Sequence, residues 1–421
     1  MRGKKLLAIC VLCLVALISV SLVTACPAPP PAEEEAPPPP PPPAVEKTEI
    51  LVGAVNSLTG LNVMTGEQQK WAYERAVFDI NEEGGVYVEE LGKNLPMRLV
   101  FADDKSGAAE GAAVMEKLIK LHKVDFALSS NITPINIAAA TVAEKYKVFF
   151  FITCSWLDQI EEQNFTWASD FFFSTVSASA SPFDVWEAQK PREEHPEAIW
   201  LMMEDNPDGQ GFAAGFRAHV EERGYNIALD EAYMPGTKDF TSSILKAKAA
   251  KCDALLWLGF PPDSITLIRQ IKEQGLNLKY MHGYKGFWPT EFYTALGEDA
   301  DYIIHDGFWA MTNNCPGSAE LGQLFIDTFG MDSVNIGLYY ANPWVVKQAI
   351  EAAGTLDHTA IRDVMFSGTF VATGTTMGDL AFNDKGLCLT PIYALQWMEG
   401  QRLPVYPVVN ELEWAPPWDE R

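Results

Sequence analysis

The stretch Val124 to Trp156, VDFALSSNITPINIAAATVAEKYKVFFFITCSW, constrains the fold more than any other part of the chain. Val124 to Leu128 and the wholly apolar Val148 to Ile152 are short runs rich in β-branched and aromatic residues. Such runs suit strands buried on both faces of a parallel sheet. Between them Ile135, Ala138, Ala139 and Val142 recur at i, i+3, i+4 and i+7, with Thr133 placed as N-cap and Pro134 at the first helical position. The stretch therefore predicts one strand–helix–strand unit. Its strand ends open into Ser129-Ser130-Asn131 and Thr153-Cys154-Ser155. Hydroxyls and backbone N–H groups then gather at the carboxyl edge of a parallel sheet, where open α/β folds bind ligands. A helix start beside Asn131 favours a carboxylate or another small anion. The same small polar residues also serve as ordinary caps and turns.

The alternation extends in both directions. Ile50 to Val55 predicts a strand, Gly66 to Asn81 a helix, Met97 to Ala102 a strand and Ala108 to Leu121 a helix. Ala72, Tyr73, Ala76, Val77 and Ile80 form the face of the first helix that packs on the sheet, leaving Trp71 and Phe78 on its polar side. Asp103-Asp104 is expected to turn the chain and cap the second helix. Phe171 to Val176 predicts a strand, and the small residues Ser177 to Pro182 a flexible crossing between lobes. A second series follows: strands at Ala198 to Met203, Ala228 to Met234, Ala254 to Gly259 and Lys279 to Gly283 alternate with helices at Gly211 to Arg223, Thr241 to Ala249 and Ser264 to Gln274. That order implies a second parallel sheet. Tyr302 to Met311 reads as another strand, followed by three helices (Ser318 to Phe329, Ile336 to Ala353 and Thr359 to Phe366) and a β-rich tail with a hairpin turn at Asn383 to Gly386. At 421 residues, two such domains are the natural expectation.

The amino terminus is of another kind. Arg2, Lys4 and Lys5 precede an apolar run from Leu6 to Val23 that stops at Val23-Thr24-Ala25-Cys26. This reads as a signal peptide over residues 1–25 ending in a lipobox, with Cys26 the lipidated residue. The Cys10-x-x-Cys13 pair inside the signal carries no metal or redox meaning. From Pro27 to Thr48 the chain is proline, alanine and glutamate, too poor in apolar residues to fold. As polyproline II, this tether would reach on the order of 60 to 70 Å.

A net charge of −25 leaves no basic stripe for phosphates and excludes a nucleic-acid partner. The remaining cysteines, Cys154, Cys252, Cys315 and Cys388, are widely spaced in or beside apolar runs and read as free buried thiols. The six histidines are scattered, and His282 and His305 lie in apolar strands as core residues. No nucleophile–base pair or clustered metal ligands are present, so binding without catalysis, metal or cofactor is expected.

Several segments together carry a family resemblance: the opening ILVGAVNSLTG, FDINEEGGV, the ADD after the second strand, the LSS and ITCS loops, DGQGFAAGFRAHVEERG, PGTKDFTSSILKAKAAKCDALLW, LIRQIKEQGL and FNDKG. In order and spacing, over residues 48 to 410, the chain resembles the type I periplasmic solute-binding proteins of ABC importers, in the leucine/isoleucine/valine-binding branch. The resemblance implies an α/β fold of two Rossmann-like lobes joined by three crossing segments, near Val176, Trp309 and Thr373. It divides the body into 49–176 with 309–372, and 177–308 with 373–415. It implies that Ser129, Ser130, Thr153, Cys154 and Ser155 hold a ligand carboxylate and that the second lobe contributes from loops containing Asp208, Phe260, Tyr284 and Lys285. An aromatic residue is the family pattern where Asp208 stands, and an acidic one, meeting the ligand's ammonium, where Lys285 stands. Lysine cannot accept from an ammonium. Either Asp208 takes that role, or the ligand is an organic acid or amino-acid derivative held by a cation, with Trp156, Phe260 and Trp288 as walls or as structural aromatics. The implied protein is a monomeric, lipid-anchored, extracytoplasmic binding protein that serves ABC permease subunits. A ligand-binding component of a sensory system is the alternative with the same fold.

Overall fold

The computed structural model describes residues 47–407 and 410–421. The signal, lipobox and tether readings, Cys26 included, lie outside the described residues. Residues 47–421 form one unit, within which the alternation builds two sheets. The first lobe runs β1 (Ile50–Asn56), α1 (Val63–Glu82), a short antiparallel pair β2 (Val86–Val88) and β3 (Lys93–Leu95), then β4 (Met97–Asp103), α2 (Ala108–Lys117), β5 (Phe126–Leu128), α3 (Thr133–Tyr146), β6 (Phe150–Thr153), α4 (Leu157–Gln163) and β7 (Ala168–Phe172). The second runs α5 (Thr175–Gln189), β8 (Ile199–Glu204), α6 (Pro207–Arg223), β9 (Ile227–Tyr233), α7 (Thr241–Ala249), β10 (Ala254–Gly259), α8 (Pro261–Glu273), β11 (Tyr280–Lys285), α9 (Thr290–Leu296) and β12 (Ile304–Gly307). Three helices follow, α10 (Ser318–Phe329), α11 (Ile336–Ala353) and α12 (His358–Met365), of which α11 lies against α1 and β6 of the first lobe.

The carboxyl-terminal strands are β13 (Val371–Thr375), β14 (Gly378–Ala381), β15 (Leu387–Leu389), β16 (Tyr393–Met398) and β17 (Gln401–Tyr406). The first sheet has the order β15-β7-β6-β5-β1-β4 and is parallel throughout. The second has the order β17-β16-β12-β11-β10-β8-β9, parallel from β12 to β9, with β16 and β17 added antiparallel. Central strands such as β8, β10 and β11 are buried along their whole length. This is why β8 up to Met203 and β10 appear in the sequence as apolar runs rather than alternating ones, whereas β11 also buries His282 and Lys285. Each fully buried Leu, Ile or Phe in them contributes about 1.5–3 kcal/mol.

Several local expectations are corrected. Ser177 to Pro182 is not a flexible crossing but lies inside α5, because Ser174 and Ser177 form a reciprocal capping box that starts the helix. The chain leaves the first sheet after Phe172 and the second after Gly307. The third passage is at residues 390–392 and not at Thr373. Thr373 lies in the β13–β14 hairpin beside α11, and β15 then joins the first sheet parallel to β7. Residues 373–389 therefore pack with the first lobe, where the resemblance had given them to the second. Asn383 to Gly386 does form a turn, closed by Gly386 N–H to Asn383 O at 3.0 Å, but it joins strands of different sheets and makes no hairpin. Asp103 and Asp104 tie loops together instead of capping α2, whose N-cap is Gly107. Ile132 rather than Thr133 is the N-cap of α3. Trp71 on the polar side of α1 packs edge-on to Phe325 of α10 at 5.1 Å, while Phe78 is exposed.

Candidate functional site

The carboxyl edges of the two sheets meet at Trp156. This residue follows β6 in the first lobe, and its ring stands edge-on to Phe212 of α6 at 4.6 Å and 6.4 Å from Trp288, which follows β11. Phe172, Phe173 and Phe308, at the passages between sheets, close the aromatic group. Among the described residues ten non-glycines have positive φ, and only Cys154 (58°) and Lys285 (45°) are buried. Each ends a strand at this edge, one in each lobe. Left-handed backbone at a non-glycine costs about 1–3 kcal/mol and persists where surrounding structure holds it, commonly at binding sites.

In the first lobe the predicted residues are brought together but are already engaged with one another. Ser129 Oγ donates to Thr153 O at 3.1 Å and accepts from Thr153 N at 3.0 Å. Thr153 Oγ1 donates to Phe171 O at 3.0 Å. Ser130 Oγ donates to Asp104 Oδ2 at 2.6 Å, and Ser57 Oγ to Asp104 Oδ1 at 2.8 Å. Asn136, one turn into α3, accepts from Ser130 N at 2.8 Å and donates to Ser155 Oγ at 2.8 Å. Ser155 thus keeps its own hydroxyl hydrogen to donate, whereas those of Ser129, Ser130 and Thr153 are spent. Cys154 Sγ accepts from Tyr339 OH at 3.4 Å, and burial pushes its thiol up to about 12, so it is an un-ionised wall and no nucleophile.

The second lobe changes the expected electrostatics. Lys285 Nζ is ion-paired with both Asp208 and Glu204, and all three side chains are buried. The Phe260 ring lies 5.2 Å from the ammonium. Burial disfavours the charged lysine, but the Asp208 and Glu204 carboxylates outweigh it and hold the Lys285 pKa above its ordinary value. Burial raises the Glu204 pKa, and Lys285 only partly offsets this. The lysine is therefore not a free cation: two carboxylates of its own lobe more than match its charge. Tyr284 is turned away, its hydroxyl donating to Ala178 O at 2.7 Å and its ring 4.5 Å from Phe212. Sequence reasoning missed Glu204. Its signal was position alone, an acid at the carboxyl end of a fully apolar strand.

Local sequence explains how these groups are held. Asn206 caps α6 by accepting from Gly209 N at 3.0 Å, with Pro207 in the first turn, so Asp208 projects from the helix start. A Cβ on Gly209 would lie 1.8 Å from Glu204 O, and one on Gly286 would lie 1.9 Å from Ser264 Oγ. Only glycine permits these approaches. Buried side-chain atoms with no hydrogen-bond partner include Asp208 Oδ1, Trp156 Nε1 and Trp288 Nε1.

The periplasmic binding protein family model matches residues 49–401. The chain belongs to the periplasmic binding protein family. It is 28% identical over 360 residues to Leu/Ile/Val-binding protein homolog 1 of Brucella suis biovar 1, covering 84% of this chain and 91% of that one. Among solved structures, the branched-chain amino acid transporter substrate-binding protein of Streptococcus pneumoniae, in complex with isoleucine, superposes with a TM-score of 0.75 at 19% identity, covering 85% of this chain and 99% of that one. A solute-binding protein of an ABC transporter from Rhodopseudomonas palustris, in complex with 3,4-dihydroxybenzoic acid, gives 0.72 at 17% identity, with 87% and 98% covered. The type I fold of two lobes and the extracytoplasmic setting of the family are thereby this chain's own. Its relatives are solute-binding proteins of transporters, and it is read as a binding protein rather than an enzyme. Among the described residues no helix is long and apolar enough to cross a membrane.

Proposed function

We propose that this protein captures a small carboxylate-bearing solute between its lobes and delivers it to the permease of an ABC importer, held at the extracytoplasmic membrane face by lipid on Cys26. The observation that carries the reading is the meeting of the two carboxyl sheet edges at Trp156 and Phe212, with Ser155 on one side and Asp208 on the other. Ligands bind at this edge in parallel α/β sheets. Isoleucine and 3,4-dihydroxybenzoic acid, the ligands of two proteins of this fold, share a carboxylate and little else. A hydroxyl of Ser155 and backbone N–H groups at strand ends suit that shared group.

Thermal unfolding of the purified protein with a panel of amino acids and organic acids tests the capture step. At least one carboxylate is expected to raise Tm, by several degrees at a hundredfold excess over Kd. No shift with any carboxylate would remove the reading. The anchor is tested separately: Cys26→Ser should release the protein from membranes or leave the precursor uncut, and unchanged anchoring would refute lipidation at that residue.

A further inference from the structure

Resting on the reading that lipid anchors the chain, we infer that the amino edge of the first sheet is a docking surface for anionic lipid headgroups. The helices of the first lobe run back from the carboxyl edge and end here. α2 continues into a π-helical turn, Leu118–His122, closed by Lys123, and α3 closes on Lys147. These ends carry Lys117, Lys120, Lys123, Lys145 and Lys147, all exposed, with His122 among them. Lys120 and Lys145 share Glu116. Glu144, a second acid at this edge, is held by the Thr166 and Trp167 amides. Lys117, Lys123 and Lys147 have no acidic partner among the described residues. In their midst Leu121 is 67% exposed, more than any other large apolar side chain among the described residues.

Lysine at a helix end is common, since it meets the partial negative charge of the last carbonyls. The second lobe shows what that effect produces by itself: Lys246 pairs with Glu231, Lys272 with Asp299 and Lys279 with Asp253, leaving Lys251 unpaired. The larger unpaired cluster, with an apolar centre, belongs to the lobe at which the chain enters the body. Lys47, the first described residue, pairs with Asp125, two residues after Lys123. An anchored molecule therefore offers this edge to the bilayer at the shortest reach. Basic side chains around an apolar one suit that surface: each lysine near anionic headgroups is worth about a fivefold gain in binding, and the leucine enters the boundary with the acyl chains. The rest of the chain orients the contact. A net charge of −25 turns the other faces away from anionic lipid, while screening over about 10 Å lets the local lysines act. The cleft lies at the opposite, carboxyl edge of the same strands and stays open to solute.

A histidine tag at the amino terminus of the mature Cys26→Ser chain, bound to nickel-chelating lipid, replaces the natural anchor and makes the test independent of lipidation. The tagged chain is held on vesicles of phosphatidylcholine, and on vesicles of phosphatidylcholine and phosphatidylglycerol in equal parts. Its lysines are acylated briefly and read by mass spectrometry. With phosphatidylglycerol, labelling of Lys117, Lys123 and Lys147 should slow by about threefold or more, while Lys251 is labelled equally on both vesicles. Salt at about 1 M, which shortens the screening length to about 3 Å, should remove the difference. In the combined variant Lys117→Glu, Lys123→Glu and Lys147→Glu, changed only at exposed positions, protection of the remaining Lys120 and Lys145 should vanish. Equal labelling on the two vesicles, protection of Lys251 to the same degree, or protection that survives the charge reversal would each overturn the inference and leave lipid anchoring at Cys26 standing.

Discussion

Asp170 lies on β7 between β6 and β15, completely buried, and neither carboxylate oxygen has a well-aligned hydrogen-bond partner. Burial pushes its pKa well above the carboxylate range, with only the Phe171 amide to lower it. Its folded-state pKa is thus raised above the unfolded value, so the folded state prefers the protonated form. Stability is greatest below the unfolded pKa near 4 and falls as pH rises toward the folded value, by about 1.4 kcal/mol per unit across that window. Asp170→Asn does not titrate and should raise Tm relative to the wild type at pH 7, with the gain shrinking toward pH 4. Thermal unfolding at both pH values checks this; an equal gain at both would mean that packing and not titration is responsible.

At the scale of elements, the start of α6 links stability to the proposed capture of solute. The Asn206 side chain supplies an acceptor for Gly209 N, one of the four amides that a helix start leaves without intrahelical partners. Asn206→Ala should cost about 1 kcal/mol in urea unfolding. Because Asp208 sits two residues after the cap and takes part in the Lys285 cluster, the same change should weaken solute affinity more than an equally destabilising change elsewhere. Loss of stability with unchanged affinity would show that the cluster, and not the cap, positions Asp208. The Asp357 cap of α12, which accepts from Thr359 N and Ala360 N, is a matched control far from the cleft in the chain's order.

Across the whole molecule, polar bonds join the lobes at several points, among them Thr175 to Asp158 and Thr290 to Asp332. Gln68 of α1 donates to Glu291 of α9 at 3.3 Å while accepting from Ser333 at 2.9 Å, and Trp156 meets Phe212. A solute can shift the closing equilibrium only by contacts that exist in the closed arrangement. Saturating solute should therefore reduce the radius of gyration in X-ray scattering, and Gln68→Ala should weaken solute binding without altering the ligand preference. Identical scattering profiles with and without a tightly bound solute would argue against closure.

Sequence alone determined the strand–helix alternation, because buried parallel strands and one-faced helices leave periodicities that local chemistry enforces. It also brought Ser129, Ser130 and Thr153 to Ser155 to carboxyl strand edges, since βα loops follow strands directly, while Asp208, Phe260, Tyr284 and Lys285 were reached only through the family resemblance. Only the tertiary structure decided that the chain passes between sheets after Leu389, because strand partners such as β15 and β7 lie more than two hundred residues apart and no local pattern encodes their pairing. Likewise only the fold set Lys285 between Asp208 and Glu204. Charge compensation depends on which strand ends become neighbours, and β8, β10 and β11 become neighbours only when the second sheet assembles.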